Sequence, residues 1–143
     1  RQRQMCIRDS HLIPRQTVLG IGCRKGISPE DMEAFVERIL HEQHISPDSL
    51  LAIASIDLKE KEPCMIQLSR KYQIPFHTYD AHTLSQVRGQ FSSSAYVKTV
   101  TGVDNVCERA ALACSGADTL TLHKTIDSGK TLAIAMAPIQ LYF

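Results

Sequence analysis

The sequence predicts an α/β fold: a three-layer α/β/α sandwich built on a mostly parallel sheet, with an antiparallel hairpin at its C-terminal edge. Three observations predict it. Short apolar runs alternate with segments of helical period, the order that builds parallel strands through crossover helices. Leu50–Asp57 (LLAIASID) is apolar without alternation, as expected of a strand covered on both faces. The last two runs, TLTLHKTI and TLAIAMAPI, flank DSGK (Asp127–Lys130), a turn signal that pairs them as a hairpin.

The elements follow in chain order. Thr17–Cys23 (TVLGIGC) reads as a strand, and RKG turns the chain. Ser28 is a good N-cap, Pro29 suits the first helical position, and Glu30 and Asp31 complement the positive helix end. Met32, Phe35, Val36, Ile39 and Leu40 then fall on one face of an amphipathic helix. After the second strand, KEKEPCMIQLSRKYQI keeps a helical period through Met65, Leu68 and Tyr72, with Pro63 in the first turn. PFHTYD is a short third strand and AHTLSQV a short helix. The stretch from Arg88 to Thr99 is Ser-rich and reads as a mobile loop over a site. VDNVCERAALACSGA is a third substantial helix, whose small Ala and Cys side chains allow close approach to a sheet.

Composition narrows the function classes. The 143 residues carry 16 Lys and Arg against 15 Asp and Glu, a net charge of +1, so no general footprint for nucleic acid is present. With 43% hydrophobic residues the chain is not disordered, and no apolar run approaches the ~18 residues that cross a bilayer. In the opening RQRQMCIRDS, Arg1, Arg3 and Arg8 are dispersed and Asp9 offsets one of them, without helical or strand period. These ten residues fit the in-frame translation of a transposon-end adapter used in sequencing libraries. The expected organisation is therefore an artefactual adapter-derived segment at 1–10, a linker remnant at 11–16 and one domain at 17–143.

Cys23, Cys64, Cys107 and Cys114 form no CxxC pair and read as small hydrophobes in a reducing, cytoplasmic interior. The histidines have no metal-ligand spacing with Cys or carboxylates, so no metal site is expected.

Ligands of open α/β sheets bind beyond the carboxyl ends of the strands, where three segments are expected to meet. In GIGCRKG, Gly20 and Gly22 let backbone approach a ligand, and Cys23, Arg24, Lys25 and Gly26 lead into helix-opening N–H groups that attract anions. Its spacing, G-x-G-x-x-x-G, departs from both the dinucleotide and the Walker A patterns, and a plain turn with solvated cations explains it equally well. In SIDLKEKE, Ser55, Asp57, Lys59 and Glu62 bring a hydroxyl, two carboxylates and an ammonium together. Helix capping by Asp57 and a solvated Lys59–Glu62 pair is the plainer reading. In the third segment, Thr101 and Gly102 open a helix that carries Glu108, and Lys124 on a late strand either points into the same cleft or protects a sheet edge.

In this order, GIGCRKG, SIDLK with Glu62, TGV followed by ERAAL, Lys124 and the strand LAIA resemble the C-terminal domain of the cobalt-precorrin-5A hydrolases of anaerobic cobalamin biosynthesis (CbiG) and the related small CobE proteins. The likeness runs from about Val18 to Met136. It implies an α/β/α sandwich and a role in opening the ring A δ-lactone of cobalt-precorrin-5A, releasing acetaldehyde to give cobalt-precorrin-5B. It also implies a cobalt-corrinoid partner and no cofactor of the protein's own, since the cobalt travels with the substrate. Further domains precede this one in the family enzyme, so the chain reads as the product of a 5′-truncated gene. The clustering of Glu62, Asp57 and Lys59 motivates Glu62 or Asp57 as base and Lys59 as oxyanion donor. The remaining substrate-binding candidates are Gly20, Gly22, Cys23, Arg24, Lys25, Gly26, Ser55, Thr101, Gly102, Glu108 and Lys124, of which the glycine nest with Arg24 and Lys25 offers N–H and cationic donors to the peripheral carboxylates of the ring. A non-catalytic corrinoid-binding module and a nucleotide-binding regulatory domain are the alternatives.

Overall fold

The computed structural model describes residues 14–87 and 106–138. The Ser-rich stretch, Thr101 and Gly102 lie outside the described residues. Strand β1 (Thr17–Cys23) leads to helix α1 (Pro29–Glu42), β2 (Leu50–Ile56), α2 (Pro63–Tyr72), β3 (Phe76–Tyr79) and the short α3 (Ala81–Ser85). Helix α4 (Val106–Ser115) precedes the hairpin of β4 (Leu122–Asp127) and β5 (Lys130–Met136). Local chemistry sets these boundaries. Ser28 Oγ accepts the Asp31 N–H at 3.1 Å, Asp80 Oδ1 accepts the Thr83 N–H at 2.7 Å, and Pro29 and Pro63 occupy opening turns. Ser128 and Gly129 take positive φ of 49° and 82°, the geometry that a two-residue hairpin turn requires.

The sheet order is β3-β2-β1-β5-β4. β1 pairs in parallel with β2, and β2 with β3, whereas β5 runs antiparallel to both β1 and β4. All strands except β5 therefore point the same way, which is the mostly parallel sheet with an antiparallel edge hairpin that the sequence predicts. The two crossovers toward β3 place α1 and α2 on one face. The return across the sheet to β4 places α3 and α4 on the other, as right-handed connection requires.

Two cores follow from the alternation of the strands. Leu19, Ile21, Ile53, Leu132 and Ile134 pack with the apolar faces of α1 and α2. The opposite face carries small residues, among them Gly20, Ala54, Ala133 and Ala135, and α4 lies on it through Val106, Ala110 and Ala111. A Cβ on Gly20 would sit 1.8 Å from the Cys107 carbonyl oxygen and 2.8 Å from the Ala111 Cβ. The close helix–sheet approach expected from the small residues of α4 is thus met by a glycine in β1. Among the described residues no helix is long and apolar enough to cross a membrane.

Candidate functional site

Because β1, β2 and β3 are parallel neighbours, the segments leaving them emerge at one rim. Cys23–Gly26 and Asp57–Glu62 lie there, together with the β4–β5 turn. The Arg24 N–H donates to the Gly129 carbonyl at 2.9 Å, and Arg38 of α1 reaches Asp127 Oδ2 at 3.1 Å. Strand order also reverses at β1: successive crossovers run one way to β3, and the chain returns to the other side for the hairpin. The end of β1 is therefore the topological switch point at which such sheets bind ligands.

Four side chains gather at this rim on the α1/α2 face. Cys23 Sγ, at the last residue of β1, is 3.7 Å from Cys64 Sγ in the first turn of α2. Lys59 Nζ lies 3.9 Å from Glu62 Oε1, with the side chains only 20% and 10% exposed, and both charges act on the thiols. Glu62 occupies the N-cap of α2, yet its carboxylate makes no capping hydrogen bond, so its oxygens are not committed to helix amides. Hydrogen bonding to Cys64, reinforced by burial, drives the Cys23 thiol up, while the same hydrogen bond pulls Cys64 down, so Cys64 ionises first. Ser55 Oγ is buried with no hydrogen-bond partner among the described residues. By strand alternation it shares the face of Ile53, so it opens toward this same side of β2.

Other groups at the rim are exposed. Arg24, Lys25 and Gly26 form an exposed cationic turn, and Gly26 takes a φ of +89° with no atom of the described residues within 4 Å of where a Cβ would stand. Asp57 is exposed, and the neighbouring Leu58 is 64% exposed.

Of the third segment, the described candidates Glu108 and Lys124 meet short of the rim. Gly20 is occupied by α4, which corrects the expectation that its backbone is open to a ligand. Gly22 faces Thr131, whose Oγ1 donates to the Gly22 carbonyl at 3.3 Å. Glu108 is fully buried where α4 meets the edge strand β4. Its Oε2 accepts the Lys124 N–H at 2.8 Å and lies 3.2 Å from His123 Nδ1. A register shift between Leu122 and Thr125 exposes that N–H, and the strand pairing puts the junction level with the middle of β1, short of the rim. Arg109 donates to the carbonyls of Leu84 and Val87 at 3.2 and 3.3 Å, tying α4 to α3. Glu108 and Arg109 of ERAAL thus fasten α4 to its neighbours, and Lys124 serves that joint through its backbone.

Two rim residues escaped the sequence reading. Cys64, read as a small hydrophobe, faces Cys23; its position directly after a helix-opening proline was the available signal. Lys130, read only as part of a turn, is buried with Nζ 5.7 Å from the centre of the Phe35 ring. Among the described residues, no three His, Cys, Asp or Glu side chains are grouped to hold a metal ion.

Residues 17–135 match the family described as Cobalamin synthesis G C-terminus. The chain is similar to the cobalt-precorrin-5A hydrolase of Priestia megaterium, with 34% identity over 125 residues, covering 87% of this chain and 33% of that protein. It is also similar to Protein CobE of Sinorhizobium sp, with 30% identity over 125 residues, covering 87% of this chain and 81% of that one. The chain spans about a third of the length of the curated hydrolases it matches. A crystal structure of CobE, a protein from the cobalamin (vitamin B12) biosynthetic pathway, superimposes with a TM-score of 0.78 at 35% identity, covering 85% of this chain and 93% of that one.

Proposed function

The chain belongs to the Cobalamin synthesis G C-terminus family of cobalamin biosynthesis, and from that membership we propose that its rim binds cobalt-precorrin-5A and opens the ring A δ-lactone, releasing acetaldehyde. The observation that carries this reading is the sheltered Lys59–Glu62 pair beside an exposed cationic turn, at the switch point of the sheet. Glu62 is the better base of the two carboxylates named from sequence. It is sheltered, free of capping duty and 3.9 Å from an ammonium, whereas Asp57 faces solvent.

The chemistry divides among the residues as follows. Glu62 takes a proton from the attacking water, and Lys59 Nζ stabilises the negative oxygen of the tetrahedral intermediate. Arg24 and Lys25 meet peripheral carboxylates of the ring, and the apolar surface of Leu58 meets its non-polar parts. Ser55, buried and unpartnered among the described residues, supplies a hydroxyl on the inner side of the site. The cobalt belongs to the substrate. Upstream domains of a longer gene product are the proposed partners. The cytoplasm is the proposed location, in keeping with four free thiols among the described residues.

The cationic turn is tested by binding. Titration of the chain with cobalt-precorrin-5A, followed by its visible spectrum, is expected to show about tenfold weaker affinity for the double variant Arg24→Ala, Lys25→Ala. The difference should shrink as salt is raised. Equal affinities at low salt would remove the turn from the site. Tight binding with no acetaldehyde release by the unaltered chain would assign it to holding the corrinoid rather than acting on it.

A further inference from the structure

The paired thiols carry an inference that holds whether or not the rim takes a corrinoid. We infer that Cys23 and Cys64 are a peroxide-oxidisable dithiol, whose intramolecular disulfide pins the end of β1 to the first turn of α2. The two sulfurs already lie 3.7 Å apart, although the residues are 41 positions apart in sequence. A disulfide of about 2.05 Å needs a further approach of under ~2 Å. Cys23 is the last residue of β1 and is followed by an exposed turn, and Cys64, fully buried, lies in the opening turn of α2.

The remaining described thiols differ in their neighbours rather than in burial: Cys107 meets Thr131 and Cys114 meets Tyr79. Cys107, in the first turn of α4, is buried and pushed up to about 12 by that burial, and burial also raises Cys114. Within the rim pair, the hydrogen bond with Cys23 pulls the Cys64 thiol down and makes it the sulfur that ionises first, against burial and Glu62, with a smaller favourable contribution from Lys59. Thiolate character selects the sulfur that attacks an oxidant.

The chemistry balances with a peroxide as the oxidant. The Cys64 thiolate attacks one peroxide oxygen, the O–O bond breaks, and the departing hydroxide takes a proton to leave as water, giving a sulfenic acid. The Cys23 sulfur then attacks the sulfenic sulfur, forming the S–S bond, while its proton and the sulfenic hydroxyl leave as a second water. Two thiols lose two electrons and two protons, and one peroxide is reduced to two waters. The product fixes the cationic turn relative to Glu62 and Lys59, both beside Cys64.

The test treats the reduced full chain with hydrogen peroxide, blocks the remaining thiols with N-ethylmaleimide and maps peptides without reduction. The expected product is monomeric, lighter by two hydrogens before blocking, and contains one cross-linked peptide pair joining Cys23 to Cys64. Dithiothreitol restores both thiols, while Cys107 and Cys114 remain alkylatable under denaturing conditions. Cys23→Ser and Cys64→Ser each abolish the cross-link; should either variant fold poorly, the map of the unaltered chain still decides. Sulfinic acid at a single cysteine, a cross-link to Cys6 or to any other thiol, a disulfide-linked dimer or unchanged thiols would each overturn the inference.

Discussion

Gly20→Ala is expected to destabilise the domain by about 3 kcal/mol or more, lowering its melting temperature by roughly 10 °C. The new methyl would lie 1.8 Å from the Cys107 carbonyl oxygen and 2.8 Å from both the Ala111 amide nitrogen and its Cβ. Two of those three atoms belong to the α4 backbone, so no rotamer change relieves the clash and the whole helix must move off the sheet. Moving it also strains the joint at Glu108, whose Oε2 accepts the Lys124 N–H at 2.8 Å. Gly22→Ala is the control. Among the described residues its methyl would meet only Thr131 Oγ1, at 2.7 Å, a side chain that can turn away, so a cost of about 1 kcal/mol is expected. Thermal unfolding of the two variants checks the contrast. Equal, small losses would mean that α4 does not seat on Gly20.

Glu62→Gln is expected to lower acetaldehyde release from cobalt-precorrin-5A by about 10²–10⁴-fold, the usual contribution of a positioned general base, with binding changed only a few-fold. The amide keeps the size of the carboxylate but cannot accept the proton of water. Because Glu62 makes no side-chain capping bond, the start of α2 loses no hydrogen bond that would confuse the result. Asp57→Asn is expected to have little effect, since that side chain opens to solvent. A reversed pattern, with Asp57 essential and Glu62 dispensable, would move the base to the other carboxylate.

The fold was legible because its elements carry their own signals. Ser28 and Pro29 mark the start of α1, the unbroken apolar run marks β2, and the Ser-Gly pair marks the hairpin. These are local effects of period and backbone conformation, readable from a few neighbouring residues. The site was legible in part, for a physical reason. Lys59 and Glu62 are i, i+3 neighbours, so their proximity follows from spacing. The Cys23–Cys64 contact instead depends on where α2 docks against β1, which no local pattern encodes.

Gly20 shows how a glycine misleads. In isolation it suggests a backbone open to a ligand. Strand parity places it opposite Leu19 and Ile21, among the small residues that admit α4. Glu108 misled differently: a carboxylate within a mostly apolar helix looked like a group for substrate, and its Oε2 accepts an N–H freed by a bulge in β4, 16 residues on.

The rim itself is tested most directly by titrating the isotope-labelled chain with cobalt-precorrin-5A and mapping the perturbed backbone amides. Changes should concentrate at Cys23–Gly26 and at Ser55–Glu62, leaving unaffected the outer edge of β4 and the surface where Lys71 of α2 pairs with Glu33 and Glu37 of α1. Perturbations centred on the β4 edge or on the Lys71 surface, with the rim silent, would contradict a corrinoid site at the ends of β1 and β2.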